Sequence, residues 1–265
     1  MIATAARRWN LEIEARLGGL ASRVVACHDA AGHKLVLKVA PPEAYPDQEA
    51  AALRHWSGNG AVPLVDFASD LGALLMERIA PGSPLPPAHD EELTALVAAT
   101  LVRLHAVSPP AHGAFPTQEE FFAIWLDRVH ASAEPGTVGV ALLDRARDAA
   151  LALEATAARK VLLHGDFIDK NLLRAEESYV GIDPLPRIGD ACSDVGFYAA
   201  YHQPAGRIAS RAKLFARVVH LDELRCARWA AVWAVGEATE TWRADSAELQ
   251  NWVGSKEARE LLETR

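Results

Sequence analysis

Residues 80–90, "APGSPLPPAHD", crowd four prolines and a glycine into one short stretch. Proline fixes φ and removes an amide donor, so no helix or central strand runs through such a stretch unbroken. The spacing of apolar residues changes across it. Before it, "EIEARL" leads into "GGLAS", and "RVVACHD" and "KLVLKVA" flank "AAGH", a turn centred on Gly32. Three strands with tight connections are predicted there. "DQEAAALRHW" has Ala50, Leu53 and Trp56 at helical spacing, with Asp47 placed to cap the helix, and "VPLVDFA" and "LGALLMERI" read as two further strands.

Beyond the proline-rich stretch the period is helical. "DEELTALVAATLVRLHAV" carries its acids at the N-terminal end, where the helix dipole favours them. Helices are also predicted over 118–133 and 140–160. "NLLRA" and "SYVGID" then form a hairpin across "EE", and the chain from Ser193 onward is mostly helical, carrying Trp229, Trp233, Trp242 and Trp252. The predicted class is α+β: a small antiparallel sheet with one helix over residues 1–80, residues 80–90 as linker, and a larger, mainly helical part over 81–265 with one embedded hairpin. At 265 residues the chain accommodates one large domain or two lobes that share a cleft.

Charge and cysteine content exclude several classes of function. The chain holds 35 acidic and 27 basic side chains, a formal net charge of −8, and the basic residues are scattered. Phosphate neutralisation needs a clustered basic surface, so nucleic acid is not an expected partner. An acidic protein suits a cationic small molecule, although the same charge also serves solubility. Cys27, Cys192 and Cys226 have neither paired spacing nor histidines set as zinc ligands, and no uninterrupted apolar run is long enough for a membrane helix. A cytoplasmic protein with no membrane association is expected.

The chemistry concentrates in "VLLHGDFIDKNLL", residues 161–173. Asp166 and Asn171 lie on the loop that enters the predicted hairpin, and Asp183 sits where its second strand ends. The hairpin can therefore bring Asn171 and Asp183 to a shared opening as two oxygen ligands. Mg²⁺ prefers oxygen and keeps water and phosphate in its shell, so one or two protein ligands suffice. Asp166 is then free to accept a hydroxyl proton and aim that oxygen at phosphorus. Each residue alone is better explained by a turn or a helix cap; their order and spacing together favour the chemical reading.

"HGDFIDKN", "GIDP" and "IGDACSDVGF" resemble the catalytic and metal segments of the aminoglycoside phosphotransferase family, and the first is similar to the protein-kinase catalytic loop with glycine replacing arginine. Proline after Asp183 is similar to the streptomycin and hydroxyurea phosphotransferase branch. The resemblance implies a bilobal protein-kinase-like fold that binds ATP and Mg²⁺ and phosphorylates a small-molecule hydroxyl acceptor. It implies that Lys38 in "LVLKVA" contacts the nucleotide phosphates with Glu49 as its partner. It also implies that "LGGLASRVV" folds over those phosphates through Gly18, Gly19 and Ser22, and that "LLMERIAPG" receives adenine as an edge strand, with Met76, Glu77 and Ile79 as candidate contacts.

The same resemblance gives His164 a structural role and Asp194 the support of the catalytic loop or the cap of the next helix. An aminoglycoside acceptor would need carboxylates, for which Glu119, Glu120, Asp127, Glu237 and Glu240 are candidates. Asp169 and Lys170 depart from the histidine and glycine of more familiar family members. Two rivals stand beside this reading: a kinase for hydroxyurea or another metabolite, and a nucleotide-binding module without catalysis. A protein kinase is disfavoured because no "DFG" or "APE" landmark accompanies Asp183.

Overall fold

The structure, a computed structural model, describes residues 1–18, 22–86, 91–125, 129, 138–202, 204–239 and 244–263. Helix α1 (Ile2–Arg8) precedes β1 (Glu12–Gly18), β2 (Arg23–His28) and β3 (Lys34–Val39); α2 (Pro46–Trp56), β4 (Leu64–Ala68) and β5 (Ala73–Glu77) follow. The five strands form one antiparallel sheet in the order β1-β2-β3-β5-β4. Alternate residues of a strand face opposite sides, and here the sides have different partners. Val25, Cys27, Leu35, Leu37, Val39, Ala73 and Leu75 share a core with Ala5 and Ala6 of α1. Leu74 and Met76 point the other way and join Ala50, Leu53 and Trp56 of α2 in a separate, larger core.

Two details of this region differ from the sequence reading. Helix α1 was not anticipated; it is short, and two alanines are its only buried residues. Asp47 does not cap α2: Pro46 takes the first helical position, Tyr45 precedes it in the left-handed region, and Asp47 sits within the first turn. Proline tolerates that position because the first helical amides have no intrahelical acceptor.

The proline-rich stretch is not only a linker. Pro81–Pro84 forms β6, which pairs antiparallel with β8 (Leu172–Ala175), itself paired with β9 (Ser178–Gly181). β6 lies at the edge of this three-stranded sheet, where missing amides cost least. Helix α3 (Glu91–Ala106) forms as predicted. Helix α4 (Gln118–Ala123) opens on a Thr117 and Glu120 capping box and ends at Ile124; residues 126–128 and 130–133 of the predicted helix lie outside the described residues.

Helix α5 (Val140–Ala155) stops short of residue 160, because Lys160–Leu163 is claimed by strand β7, which pairs with β10 (Arg187–Asp190). The predicted hairpin is β8 and β9. Helices α6 (Cys192–Tyr201), α7 (Ile208–Val218), α8 (Glu223–Glu237), α9 (Ser246–Val253) and α10 (Lys256–Leu261) complete the chain. α8 runs through the helical part and buries Trp229 completely, while Trp242 lies outside the described residues. All three cysteines are free and buried. No described helix is long and apolar enough to cross a membrane.

Candidate active site

The loop from His164 to Asn171 leaves β7 through a glycine that nothing else can replace without strain. Gly165 has φ +76°, and a Cβ there would stand 2.0 Å from the Leu185 carbonyl oxygen. The carboxylate of Asp194, in the first turn of α6, accepts from the amides of His164 and Gly165, each at 2.9 Å. Asp194 therefore supports the loop and does not cap α6, whose first amide, that of Cys192, donates instead to Asp190 Oδ1 at 3.0 Å. Burial works against its charge, but the hydrogen bond with His105 and the Gly165 amide hold the carboxyl below its usual range.

Asp166 is the next residue, half-buried. Its Oδ2 accepts from Nδ2 of Asn171 at 2.6 Å, and the same amide donates to the Asp166 carbonyl at 3.0 Å. This fixes the carboxylate and leaves the Asn171 amide oxygen for another partner. Burial pushes the Asp166 carboxyl up to about 6, opposed by Lys170 and the Asn171 hydrogen bond. Asn171 ends a 3-10 turn immediately before β8, while Asp183 lies two residues beyond β9. Leu172 pairs with Gly181, and Ile182 donates to the Asn171 carbonyl at 2.9 Å, so the hairpin holds both residues at one end. Asp183 adopts φ +57° and leaves 55% of its side chain exposed.

Lys38 joins this end of the hairpin to the sheet. It lies on the face of β3 that looks toward α2, and its ammonium donates to Glu49 Oε2 at 2.7 Å and, in a shorter contact, to Asp183 Oδ1. Burial favours the neutral amine, but the Glu49 and Asp183 carboxylates outweigh it and hold Lys38 above the usual lysine range. Glu49 Oε1 is buried without a hydrogen-bond partner among the described residues. Lys38 thus reaches Asp183 at the same end of the hairpin at which Asn171 holds Asp166.

Of the residues that support the loop, His164 was expected to be structural, whereas His105, Arg187 and Gln118 carried no signal in the sequence. His164 is fully buried, and burial lowers it to about 4, which leaves it neutral near pH 7; its ring stacks on Trp56 with centroids 6.2 Å apart. His105 of α3 meets Asp194 Oδ2 at 2.9 Å. Arg187 donates to the Gly165 carbonyl at 3.3 Å and to Gln118, and its guanidinium carbon lies 4.3 Å from the centre of the Phe121 ring. Asp190 accepts from the Trp229 indole at 2.7 Å and from Arg225 at 2.5 Å, and so ties β10 to α8.

The residues proposed for the nucleotide are less uniformly placed. Gly18 ends β1 and Ser22, half-buried, precedes β2; Gly19 lies outside the described residues. Met76 is buried in β5, Glu77 is exposed at its end, and Ile79 packs half-buried against the larger core. The expectation of an edge strand fails, because β5 is flanked by β3 and β4 and the Glu77 and Arg78 amides are taken by Pro63 and Lys34. Among the candidate acceptor carboxylates, Glu120 is held in its capping box, Glu119 is exposed on α4 and Glu237 ends α8; Asp127 and Glu240 lie outside the described residues.

Comparison with known proteins matches this chain to a family. The family model described as aminoglycoside/hydroxyurea antibiotic resistance kinase matches residues 8–246. A hydroxyurea phosphotransferase from Kitasatospora aureofaciens is 29% identical over 249 residues, covering 91% of this chain and 72% of that protein. A streptomycin 6-kinase from Streptomyces glaucescens is 29% identical over 240 residues, covering 84% and 76%. A thermostable mutant of the aminoglycoside phosphotransferase APH(4)-Ia, solved with ADP and hygromycin B, aligns at a TM-score of 0.65 with 14% identity over 98% of this chain and 97% of that one. That likeness is one of fold, and the expected α+β, protein-kinase-like architecture is the one the chain adopts.

Proposed function

The chain belongs to the aminoglycoside/hydroxyurea antibiotic resistance kinase family and is an ATP-dependent phosphotransferase, and from that premise we propose that it transfers the γ-phosphate to a hydroxyl of a streptomycin-type aminoglycoside. One observation carries the assignment of roles: Lys38 reaches Asp183 at the end of the hairpin where Asn171 grips Asp166. In this reading the lobes are 1–80 and 81–265, and ATP lies between them. Gly18, Gly19 and Ser22 cover the phosphates, Lys38 contacts them with Glu49 holding its ammonium, and Met76, Glu77 and Ile79 flank the adenine.

Asp166 orients the acceptor hydroxyl and takes its proton as the oxygen attacks phosphorus in line. The Asn171 hydrogen bond leaves Asp166 Oδ1 to face the acceptor, and a carboxyl held up near 6 is a better proton acceptor than an ordinary aspartate while still ionised at neutral pH. Asn171 and Asp183 suit Mg²⁺: both offer oxygen, Asp183 is more than half exposed, and the Asn171 amide nitrogen is already committed to Asp166. When bound, the ion neutralises charge on the phosphate oxygens. Phosphates arriving beside Lys38 compete for its ammonium and release Asp183 for this task.

A second acceptor has its own support. The hydroxyurea phosphotransferase relative matches 91% of this chain, so hydroxyurea is tested beside streptomycin. The experiment is ADP release from ATP and Mg²⁺ with streptomycin, hydroxyurea and a panel of small alcohols, followed by mass spectrometry of the acceptor. Phosphorylated streptomycin is the expected product. Phosphorylated hydroxyurea with unchanged streptomycin replaces the first acceptor by the second, and ATP binding with no turnover on any acceptor favours a non-catalytic module.

A further inference from the structure

We propose that His105 is a positioning residue of the catalytic loop, acting through Asp194 on the two backbone amides that precede Asp166; the proposal rests on the assignment of Asp166 as the group that orients the acceptor. His105 lies in the last turn of α3, buried, and shares no sequence neighbourhood with the loop it meets. Its Nε2 contacts Asp194 Oδ2 at 2.9 Å. That oxygen also accepts the His164 amide, while Oδ1 accepts the Gly165 amide.

The direction of the hydrogen bond follows from the chemistry of the carboxylate. Asp194 is held ionised, and an ionised carboxylate only accepts, so Nε2 of His105 carries the hydrogen. His164 cannot substitute: its ring is fully buried and neutral near pH 7, and its contribution to Asp194 in hydrogen-bond terms is its backbone amide. The imidazole of His105 is therefore the side-chain donor that fixes the rotation of the Asp194 carboxylate. The carboxylate in turn fixes two successive amides at the strained turn through Gly165, with Asp166 one residue further on. A buried carboxylate that loses this donor can turn away from one amide, and the Asp166 side chain then loses its set position. The Arg159 guanidinium donates to the His105 carbonyl, which anchors the end of α3 that carries the ring.

Two substitutions separate positioning from mere filling of space. Glutamine at 105 keeps an amide N–H donor near the place of Nε2, whereas leucine keeps bulk and removes the donor. Hydrogen exchange of the segment 161–171 reads the loop directly and needs no acceptor. His105→Leu is expected to accelerate exchange at the His164 and Gly165 amides while the rest of the folded protein stays protected, and His105→Gln to restore slow exchange. In ADP release with ATP, Mg²⁺ and the acceptor found in the screen, or by hydrolysis to water, His105→Leu is expected to lower kcat by about 10- to 100-fold with KM for ATP nearly unchanged, and His105→Gln to recover most of the loss. Measurements are made at a temperature where circular dichroism shows each variant folded. Wild-type exchange and kcat in His105→Leu, or a glutamine variant no better than leucine, overturns the proposal. Asp166→Asn run in parallel keeps two failures apart: if it turns over normally, the role of Asp166 falls, and if it is inactive while His105→Leu is normal, only the role of His105 falls.

Discussion

Asp166 is held under tension between its surroundings and its task. An acid whose folded pKa is raised to about 6, from an ordinary 3.8, keeps its proton in the folded chain while the unfolded chain releases it. The stabilising effect of that proton is complete below pH 4 and is lost as pH rises toward 6, leaving a constant penalty above. Removing the charge removes the penalty. In nucleotide-free, metal-free protein, Asp166→Asn is expected to raise the melting temperature at pH 8, by an amount worth at most about 3 kcal/mol, and to change it little at pH 4. Melts at the two pH values check this, and equal shifts at both contradict it. Lys38 is a second residue under compensation. Removing Glu49 alone leaves a buried ammonium with one partner, so Glu49→Ala is expected to cost about 3 kcal/mol, whereas Lys38→Met with Glu49→Leu restores much of that stability without restoring activity. Denaturant melts of the single and double variants decide between them.

At the scale of elements, the loop depends on a turn that only glycine makes comfortably. Gly165→Ala places a methyl group against the Leu185 carbonyl and strains the left-handed backbone, so a stability loss of at least about 2 kcal/mol and near-complete loss of turnover are expected. A variant with wild-type melting and kcat contradicts that role. How much of this was legible in the sequence depends on the distance over which each contact acts. The strands β1 to β5, helix α3 and the hairpin of β8 and β9 follow from local period and turn residues, and the hairpin alone places Asn171 and Asp183 together. β6 and β10 were not legible. β6 is a strand written in prolines, tolerated at an edge, and β10 is short and finds its partner β7 across 23 or more residues of intervening chain only after folding. The pairing of His105 with Asp194 spans 89 residues and has no local pattern at all. The edge-strand reading of β5 failed for a related reason, since strand order within a sheet is a tertiary fact that period does not encode.

At the scale of the whole molecule, the proposed boundary at residue 80 does not divide the core. The face of the sheet that packs on α1 closes a small core of its own, but Ala50, Leu53, Trp56, Leu74 and Met76 belong to the same apolar cluster as Val97, Leu101 and Leu104 of α3. The backbone joins the two parts as well, since Gly181 donates to Gly60 and Val62 donates to Gly181. Residues 1–80 expressed alone are therefore expected to lack cooperative unfolding, because α2 would expose its apolar face to water. A sharp thermal transition in that fragment contradicts the expectation. The central claim is that this joined structure brings Lys38, Asp166, Asn171 and Asp183 together for phosphoryl transfer. The most direct test is transfer of label from γ-labelled ATP to streptomycin or hydroxyurea by wild type and by Asp166→Asn, with nucleotide affinity measured on both. Transfer by the wild type, none by the variant and similar nucleotide affinity is the predicted result; a variant that transfers label at the wild-type rate contradicts the claim.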